Sequence, residues 1–433
     1  MKKFLVSKLQ SAAKRAIEQH KPIIVAVTGS FGKTSTKDAV ATVLRTKYKV
    51  RTAEKNYNNE IGVPLTILGM KSPGRSSIGW LSLLWRARRL KEMPEVLVLE
   101  FGADHPGDIK ALCELAPPKI GVVTGVSPVH AEYFADLDAL TTEKAHLVRV
   151  LKGKGVGLAV LNGDDPRVSA MADETKADVL RYGAGELSDV RATNIALSTR
   201  LDDDFDIGEV FSITTASVEV GGHTVGSLRL ENAIGYAPVL TCLAALTVGD
   251  YLNVSMSDSI DALNKDIHAL PGRLRPLAGI KGSLIIDDSY NAAPAAMQHG
   301  LDVLKQFQPG EKVDRRIAVL GQMAELGAYD EQEHRFVGMK VPECADIFIG
   351  VGDRMGIAID AAKEAGMDAN AVHIFGNSED AGRFLDGIIQ QGDVVYVKGS
   401  QSSRMEKVVK DVMAEPGRAN ELLVRQDGKW LNT

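Results

Sequence analysis

An apolar run at residues 22–29 (PIIVAVTG) ends in a glycine and passes through a short loop into a helical pattern at residues 33–46 (KTSTKDAVATVLRT). The run is short and rich in Val and Ile, which reads as a buried strand. Gly29 and Gly32 let the backbone of the intervening loop turn and aim its N–H groups at phosphate oxygens. The start of the helix adds a dipole favourable to anions. In such a loop Lys33 supplies a cation for the outer phosphates, and the Thr34 hydroxyl can ligate Mg²⁺. The strict GxxxxGK[ST] pattern is not met, because Val27 stands at its first glycine. A glycine-rich turn with a solvated lysine is the bland alternative, and the strand–helix context speaks against it.

The same rhythm continues. Apolar runs VLVLE (96–100), IGVVT (120–124) and GVGLAVL (155–161) alternate with helical patterns, which argues for a largely parallel sheet covered by helices on both faces. Around residues 188–230 the pattern changes to FSITTASVEV and HTVGSLRL around a Gly-Gly turn, an expected antiparallel hairpin. Helices are expected at about 234–250 and 256–265. Pro271 and Gly272 punctuate a boundary, after which βα alternation restarts with SLIID (283–287), RIAVLG (316–321), DIFIGVG (346–352) and DVVYVKG (393–399). The expected division is therefore a domain at 1–270, opened by a short helix at 1–20, and a second α/β domain at 271–433.

Composition narrows the class. The chain has 433 residues, 45% hydrophobic and 25% charged, with 51 Lys and Arg against 56 Asp and Glu for a net charge of −5. Global disorder is excluded, and no overall electrostatic drive toward nucleic acid exists. Cys113, Cys242 and Cys344 are scattered and form no CxxC pair, which fits a reducing, cytoplasmic compartment. No run approaches the ~20 apolar residues of a spanning helix.

Other chemistry-bearing residues sit at strand ends, where open α/β sheets bind ligands. Glu100 closes VLVLE and can hold Mg²⁺ beside the phosphate loop, its alternative being a helix cap or an ion pair. His130 follows IGVVT in Ser-Pro-Val-His. Lys144 lies in TEKAHL on an expected helix and alone would pass as a surface lysine. Asp288, in DDSYNAAP, suits a ribose hydroxyl, a metal or a tight Asx turn.

In order along the chain, VTGSFGKTS, NYNNEIGVPLTIL (56–68), LEFGADHPGDI (99–109), SPVHAEYF (127–134), TEKAHL (142–147), VLNGDD (160–165), PGR (271–273), DDSYNAAPAAM (287–297), AVLGQMAELG (318–327) and VKGSQSSRMEKVV (397–409) resemble the Mur ligases. The resemblance implies a P-loop central ATPase domain, with a mostly parallel sheet and a small antiparallel part, followed by a Rossmann-like C-terminal α/β domain. It implies an ATP-dependent amide ligase of cell-wall precursor synthesis that activates a carboxylate as an acyl phosphate. The segments DDSYNAAP, MAELG and KGS-RMEKVV point to the branch whose small-molecule substrates are a muramoyl-peptide and D-alanyl-D-alanine.

Carried over residue by residue, the resemblance implies that Gly29, Ser30, Phe31, Gly32, Lys33, Thr34 and Ser35 hold the triphosphate. Thr34 and Glu100 would ligate one Mg²⁺ and His130 a second, and Lys144 would be carbamylated and help hold metal. Asn59 would lie near the nucleotide and metal, Arg273 would reach the phosphates and Asp288 the ribose. Asn291 and Lys398 share the second-domain motifs. Departures are Gln322, where the family has an acid, and the segment 231–238 (ENAIGYAP), where the adenine contact is not legible. Only about 21 residues precede the first ATPase strand, so a UDP-binding front domain is expected to be missing. That opens two alternatives: a Mur-like ligase of a different, non-UDP acid and amine pair, or a non-catalytic ATP-binding scaffold. Residues 71–94 carry Trp80 and Trp85 beside Arg86, Arg88, Arg89 and Lys91. A helix packed on the first domain, or a dimer contact, is preferred there over peripheral membrane contact.

Overall fold

The computed structural model describes residues 2–53, 57–74, 76–128, 133–199, 212–308, 310, 313–426, 428 and 430. His130 lies outside them. After a helix at Lys2–His20, the first part of the chain builds β1 (Ile23–Thr28), β2 (Val50–Thr52), β3 (Val96–Glu100), β4 (Ile120–Val123), β5 (Leu158–Asn162), β6 (Asp178–Gly183), β7 (Val190–Thr199), β8 (Ser212–Val220) and β9 (His223–Glu231). These form one sheet in the order β2-β3-β1-β4-β5-β6-β7-β8-β9. Pairing is parallel from β2 through β7 and antiparallel across β7, β8 and β9. Val220 pairs with His223, and Gly221 and Gly222 between them take φ of 57° and 80°. A two-residue turn with both residues at positive φ matches the twist of the strands it joins and favours glycine, so the hairpin forms where the sequence pattern places it.

The alternating inward residues explain the layers. Val25, Val27, Val96, Val98, Ile120 and Val122 pack on one face with Ala39, Val40, Val43 and Leu44 of the helix Lys33–Arg45 and with the helix Tyr236–Tyr251. Ile24, Ala26, Leu97 and Leu99 pack on the other face with Leu9, Ala12 and Ala13 of the first helix and with Ile109, Leu112 and Leu147. Strands covered on both faces are almost uniformly apolar, as these are.

The rest of the chain forms a second sheet from β10 (Arg275–Ala278), β11 (Leu284–Asp288), β12 (Arg316–Gly321), β13 (Ile347–Val351), β14 (Val372–Phe375) and β15 (Val394–Lys398), in the order β10-β11-β15-β12-β13-β14. All pairs are parallel except β10 with β11. The antiparallel edge strand β10 and the short β14 are additions to the four strands read from sequence. Among the described residues no helix is long and apolar enough to cross a membrane.

The turn between the two sheets is tied down by a buried carboxylate. Asp287, fully buried at the end of β11, accepts from the backbone N–H of Gly272 at 3.0 Å and of Ser289 at 3.1 Å. Burial pushes its pKa up to about 6, against these hydrogen bonds. A raised carboxyl pKa favours the folded state while the group is protonated. Its contribution is present below the unfolded value near 4 and lost as pH rises through about 6, a difference of about 3 kcal/mol. Asp287→Asn is expected to remove that slope. Urea unfolding of both proteins at pH 4.5 and 6.5 checks this, and parallel pH dependences would refute it.

Candidate active site

The site gathers at the C-terminal ends of the parallel strands. Gly29, directly after β1, has φ 148°, and a side chain there would lie 2.0 Å from the Thr124 hydroxyl. Ser30 N–H donates to the Gly125 carbonyl at 2.8 Å and the Ser30 hydroxyl to the Ser127 carbonyl at 2.9 Å. The loop is thus pinned to the segment leaving β4. Phe31 covers Gly125, where any Cβ would meet its ring, and its edge meets His299 of the second part at 5.9 Å between centroids. Gly32, at φ 74°, caps the helix Lys33–Arg45.

Lys33 Nζ donates to the Gly29 carbonyl at 2.7 Å. Desolvation lowers its pKa, with Arg273 acting in the same direction and Glu100 against it. The Thr34 hydroxyl donates to Glu100 Oε2 at 2.9 Å, and Glu100 is buried at the end of β3. Arg273, from the turn before β10, places an Nη within 3.4 Å of the Thr34 hydroxyl and stacks its guanidinium 4.4 Å over the Tyr290 ring. The structure therefore brings Lys33, Thr34, Glu100 and Arg273 together from three separate stretches of chain. A hydroxyl and a carboxylate are hard oxygen donors of the kind Mg²⁺ takes. Among the described residues no group of three or more His, Cys, Asp or Glu forms a metal cluster by itself.

The asparagine pair divides otherwise than expected. Asn59 is exposed, and its side-chain oxygen accepts from the N–H groups of Ile61 and Gly62 at 3.2 and 3.0 Å, starting the helix Gly62–Leu68. Asn58 is the one that faces the site, donating to Glu100 Oε1 at 3.2 Å. Adjacent residues on a turn point in different directions, and no motif distinguishes which one turns inward.

Lys144 is buried on the helix Leu137–Arg149. Burial, reinforced by Lys33 and opposed by Glu143 and Asp104, pushes its pKa down to about 7. Its neighbour Glu143, also buried, accepts from the N–H groups of Gly107 and Ile109 at 2.8 and 2.7 Å. Glu143 therefore holds the loop after β3 beside Lys144, a role the sequence did not reveal. At the ends of β5 and β6, Asp164 accepts from the N–H groups of Ala184 and Gly185, both at 2.9 Å, and from the Tyr236 hydroxyl. This places Tyr236, from the segment 231–238, on the same edge as the glycine-rich loop 29–32.

In the second part, the buried Asp288 accepts from Lys398 Nζ at 2.7 Å, the Tyr396 hydroxyl at 3.2 Å and Leu274 N–H at 3.2 Å. Lys398 also donates to the Asn291 carbonyl at 2.7 Å, while the Asn291 side chain is exposed. Gln322 enters the network by its backbone, donating to the Val351 carbonyl at 3.0 Å and accepting from Ser400 N–H at 3.1 Å.

The low pKa of Lys144 has a measurable sign. In the unfolded chain the amine keeps its proton up to its ordinary value near 10.5, whereas the folded protein releases it near 7. Between those limits the unfolded state binds more protons, so stability rises with pH. From pH 7 to 9 in bicarbonate-free buffer, wild type should gain about 2 kcal/mol over Lys144→Met. Denaturant unfolding at the two pH values reads this, and equal gains would contradict it.

Comparison with known proteins agrees with this geometry. Residues 27–239 match the Mur ligase middle domain, and residues 272–401 match the Mur ligase, glutamate ligase domain. A UDP-N-acetylmuramoyl-tripeptide–D-alanyl-D-alanine ligase of Mycobacterium leprae is 32% identical over 397 residues, covering 88% of this chain and 71% of the relative. The enzyme of that name from Bacillus subtilis is 27% identical over 410 residues, covering 94% and 79%. The crystal structure of the MurF ligase from Thermotoga maritima in complex with ADP superposes with a TM-score of 0.74 at 25% identity, covering 94% of this chain and 83% of that one. A phosphate-type loop, a carboxylate on the adjacent strand, a buried lysine and an arginine reaching across from the second sheet thus occur in a chain that belongs to the Mur ligase family.

Proposed function

We propose that this protein is an ATP-dependent amide ligase of peptidoglycan precursor synthesis in the cytoplasm, joining D-alanyl-D-alanine to the carboxylate of a muramoyl-peptide. The observation that carries the reading is the Thr34–Glu100 hydrogen bond at 2.9 Å, with Lys33 in the same loop and Arg273 reaching Thr34 from the other part of the chain. In this reading the chain divides into an ATPase domain at 1–270 and a C-terminal domain at 271–433, and ATP lies between them.

The chemistry addresses one problem. A carboxylate at neutral pH is a poor acylating agent, so its oxygen takes the γ-phosphoryl group of ATP, giving an acyl phosphate and ADP. The amine of D-alanyl-D-alanine then adds to the acyl carbon, phosphate leaves with the former carboxylate oxygen, and the amine gives up a proton. The protein's share is positioning and charge neutralisation.

With the Ser30 N–H held by the Gly125 carbonyl, the remaining N–H groups of the 29–35 loop and the start of its helix face the triphosphate. Lys33 exchanges the Gly29 carbonyl for phosphoryl oxygens and stabilises the charge that develops during transfer. Arg273 adds a second cation, which engages only when the two halves of the molecule are together. Asn58 orients Glu100 by its 3.2 Å hydrogen bond. Thr34 and Glu100 would hold Mg²⁺, with His130 at a second ion, and the metal would supply neutralisation of the phosphate charge. With a pKa near 7, the Lys144 amine is about half unprotonated at neutral pH, against roughly one part in a thousand or less for an ordinary lysine. Only the free amine adds CO₂, so this burial favours a carbamate that could join the metal ligands. Asp288 is assigned to the ribose; burial raises its pKa, and the Lys398 ammonium at 2.7 Å opposes that rise.

Incubation with ATP, Mg²⁺ and paired acids and amines, read by mass detection of the product, tests this directly. Ligated muramoyl-pentapeptide and stoichiometric phosphate are expected, with Lys33→Ala reducing turnover by about a thousandfold. Asn58→Ala should lower it about tenfold, while Asn59→Ala should chiefly lower stability. Ligation of a non-muramoyl pair alone would replace the substrate assignment. ATP binding without product in any pairing would leave a scaffold.

A further inference from the structure

The helix Ser77–Ala87 has two apolar faces, and the protein uses one. Leu83 and Ala87 are buried, and Trp80 and Leu84 are partly buried, against the core that includes Leu9, Ala12 and Ala13 of the first helix. The helix is ordered by its own start, where Ser76 Oγ accepts from Gly79 N–H at 3.1 Å, and by Trp80 Nε1 donating to the Gly74 carbonyl at 3.1 Å. On the opposite side Ile78, Leu81 and Trp85 are 81%, 69% and 56% exposed. Their spacing of three and four residues stacks them in one stripe. A contiguous apolar stripe left open on a helix whose other face is packed marks a contact surface.

The charges beside it identify the occupant. Arg86, Arg88, Arg89 and Lys91 are all exposed at the C-terminal end of the helix and just beyond. Among the described residues no carboxylate pairs with any of them. The Arg89 guanidinium lies over the Trp85 ring at 3.9 Å, at the border of the stripe. The chain as a whole carries −5, so this cluster runs against its overall charge. A second copy packing by the same face would bring the cations of both copies together. An anionic lipid surface satisfies both halves of the pattern: acyl chains take Ile78 and Leu81, the headgroup boundary takes Trp85, and phosphates take the cations. Eleven residues span about 16 Å, against a hydrocarbon core of about 30 Å, so the helix can lie in the interface and cannot cross it.

We propose that this face docks the protein on an anionic membrane surface, with the helix lying in the headgroup plane. The inference does not depend on the ligase reaction, because its readout needs neither ATP nor substrate.

Flotation of the full chain with vesicles of phosphatidylcholine containing about 30% phosphatidylglycerol, against phosphatidylcholine alone, tests it. Wild type should float with the anionic vesicles, and raised salt should weaken the association. Arg86→Glu with Arg89→Glu, and separately Ile78→Ser with Trp85→Ser, should each reduce partition by about tenfold or more. Both pairs change exposed side chains, so their melting curves should match wild type. Brominated lipid should quench tryptophan fluorescence in wild type and much less in Trp85→Phe. The proposal is overturned if wild type does not float, or if both variants float as wild type does. A wild-type dimer that Ile78→Ser and Trp85→Ser dissolve, without any vesicle binding, would assign the stripe to a second copy instead.

Discussion

Parallel pairing of β1 between β3 and β4 is the constraint from which the site follows. The register sets Val27 beside Glu100 and Thr28 beside Val123, so all three strands end at one edge and their outgoing loops must share the space above it. Gly29 has no room for a side chain because Thr124 occupies that space. Thr28 reinforces the junction by donating its hydroxyl to the Phe101 carbonyl at 2.9 Å. Once these ends are fixed, the helix following β1 can only start where its first turn faces Glu100, and the Thr34–Glu100 bond results.

The same edge concentrates charge in partly water-free surroundings, which is costly unless something offsets it. Lys33 and Lys144 both have lowered pKa values chiefly through burial, and each also depresses or is depressed by a neighbouring cation. Lys33 and Lys144 stand beside the buried carboxylates Glu100 and Glu143, so this edge sets cations and metal-type oxygen donors side by side around a glycine-rich loop. The second part of the chain behaves differently. There Asp288 and Lys398 offset each other at 2.7 Å, and the buried Arg425 pairs with Glu406 at 3.0 Å while donating to the Ser289 carbonyl. These closed pairs stiffen the segment that carries Arg273 and Tyr290.

How much of this was legible depended on whether a residue's role was local. The glycine-rich loop between β1 and its helix, Glu100 at its strand end and the Gly-Gly hairpin are encoded by neighbours in sequence, and each stands where the pattern placed it. The Asn58 and Asn59 assignment turned on which way one turn rotates, which spacing does not specify. Glu143 and the Asp164–Tyr236 pair act across 34 to 72 residues of chain, so their meanings appear only once the sheet order is known. In residues 77–87 apolar side chains fall on two faces, with Ser82 and Arg86 between them on one side, and periodicity could not tell the packed face from the exposed one. The edge strand β14 is not legible in the sequence because VHIF is short and partly exposed.

In the proposed mechanism Lys33, Thr34, Glu100 and Arg273 form one phosphate site spanning both parts of the chain. A crystal structure with a non-hydrolysable ATP analogue and Mg²⁺ tests it most directly. The terminal phosphates are expected over residues 29–35, with Lys33 Nζ moved from the Gly29 carbonyl onto them and Arg273 within hydrogen-bonding reach. Nucleotide bound elsewhere, or Lys33 still closed on Gly29 with the phosphates outside the loop, would contradict it.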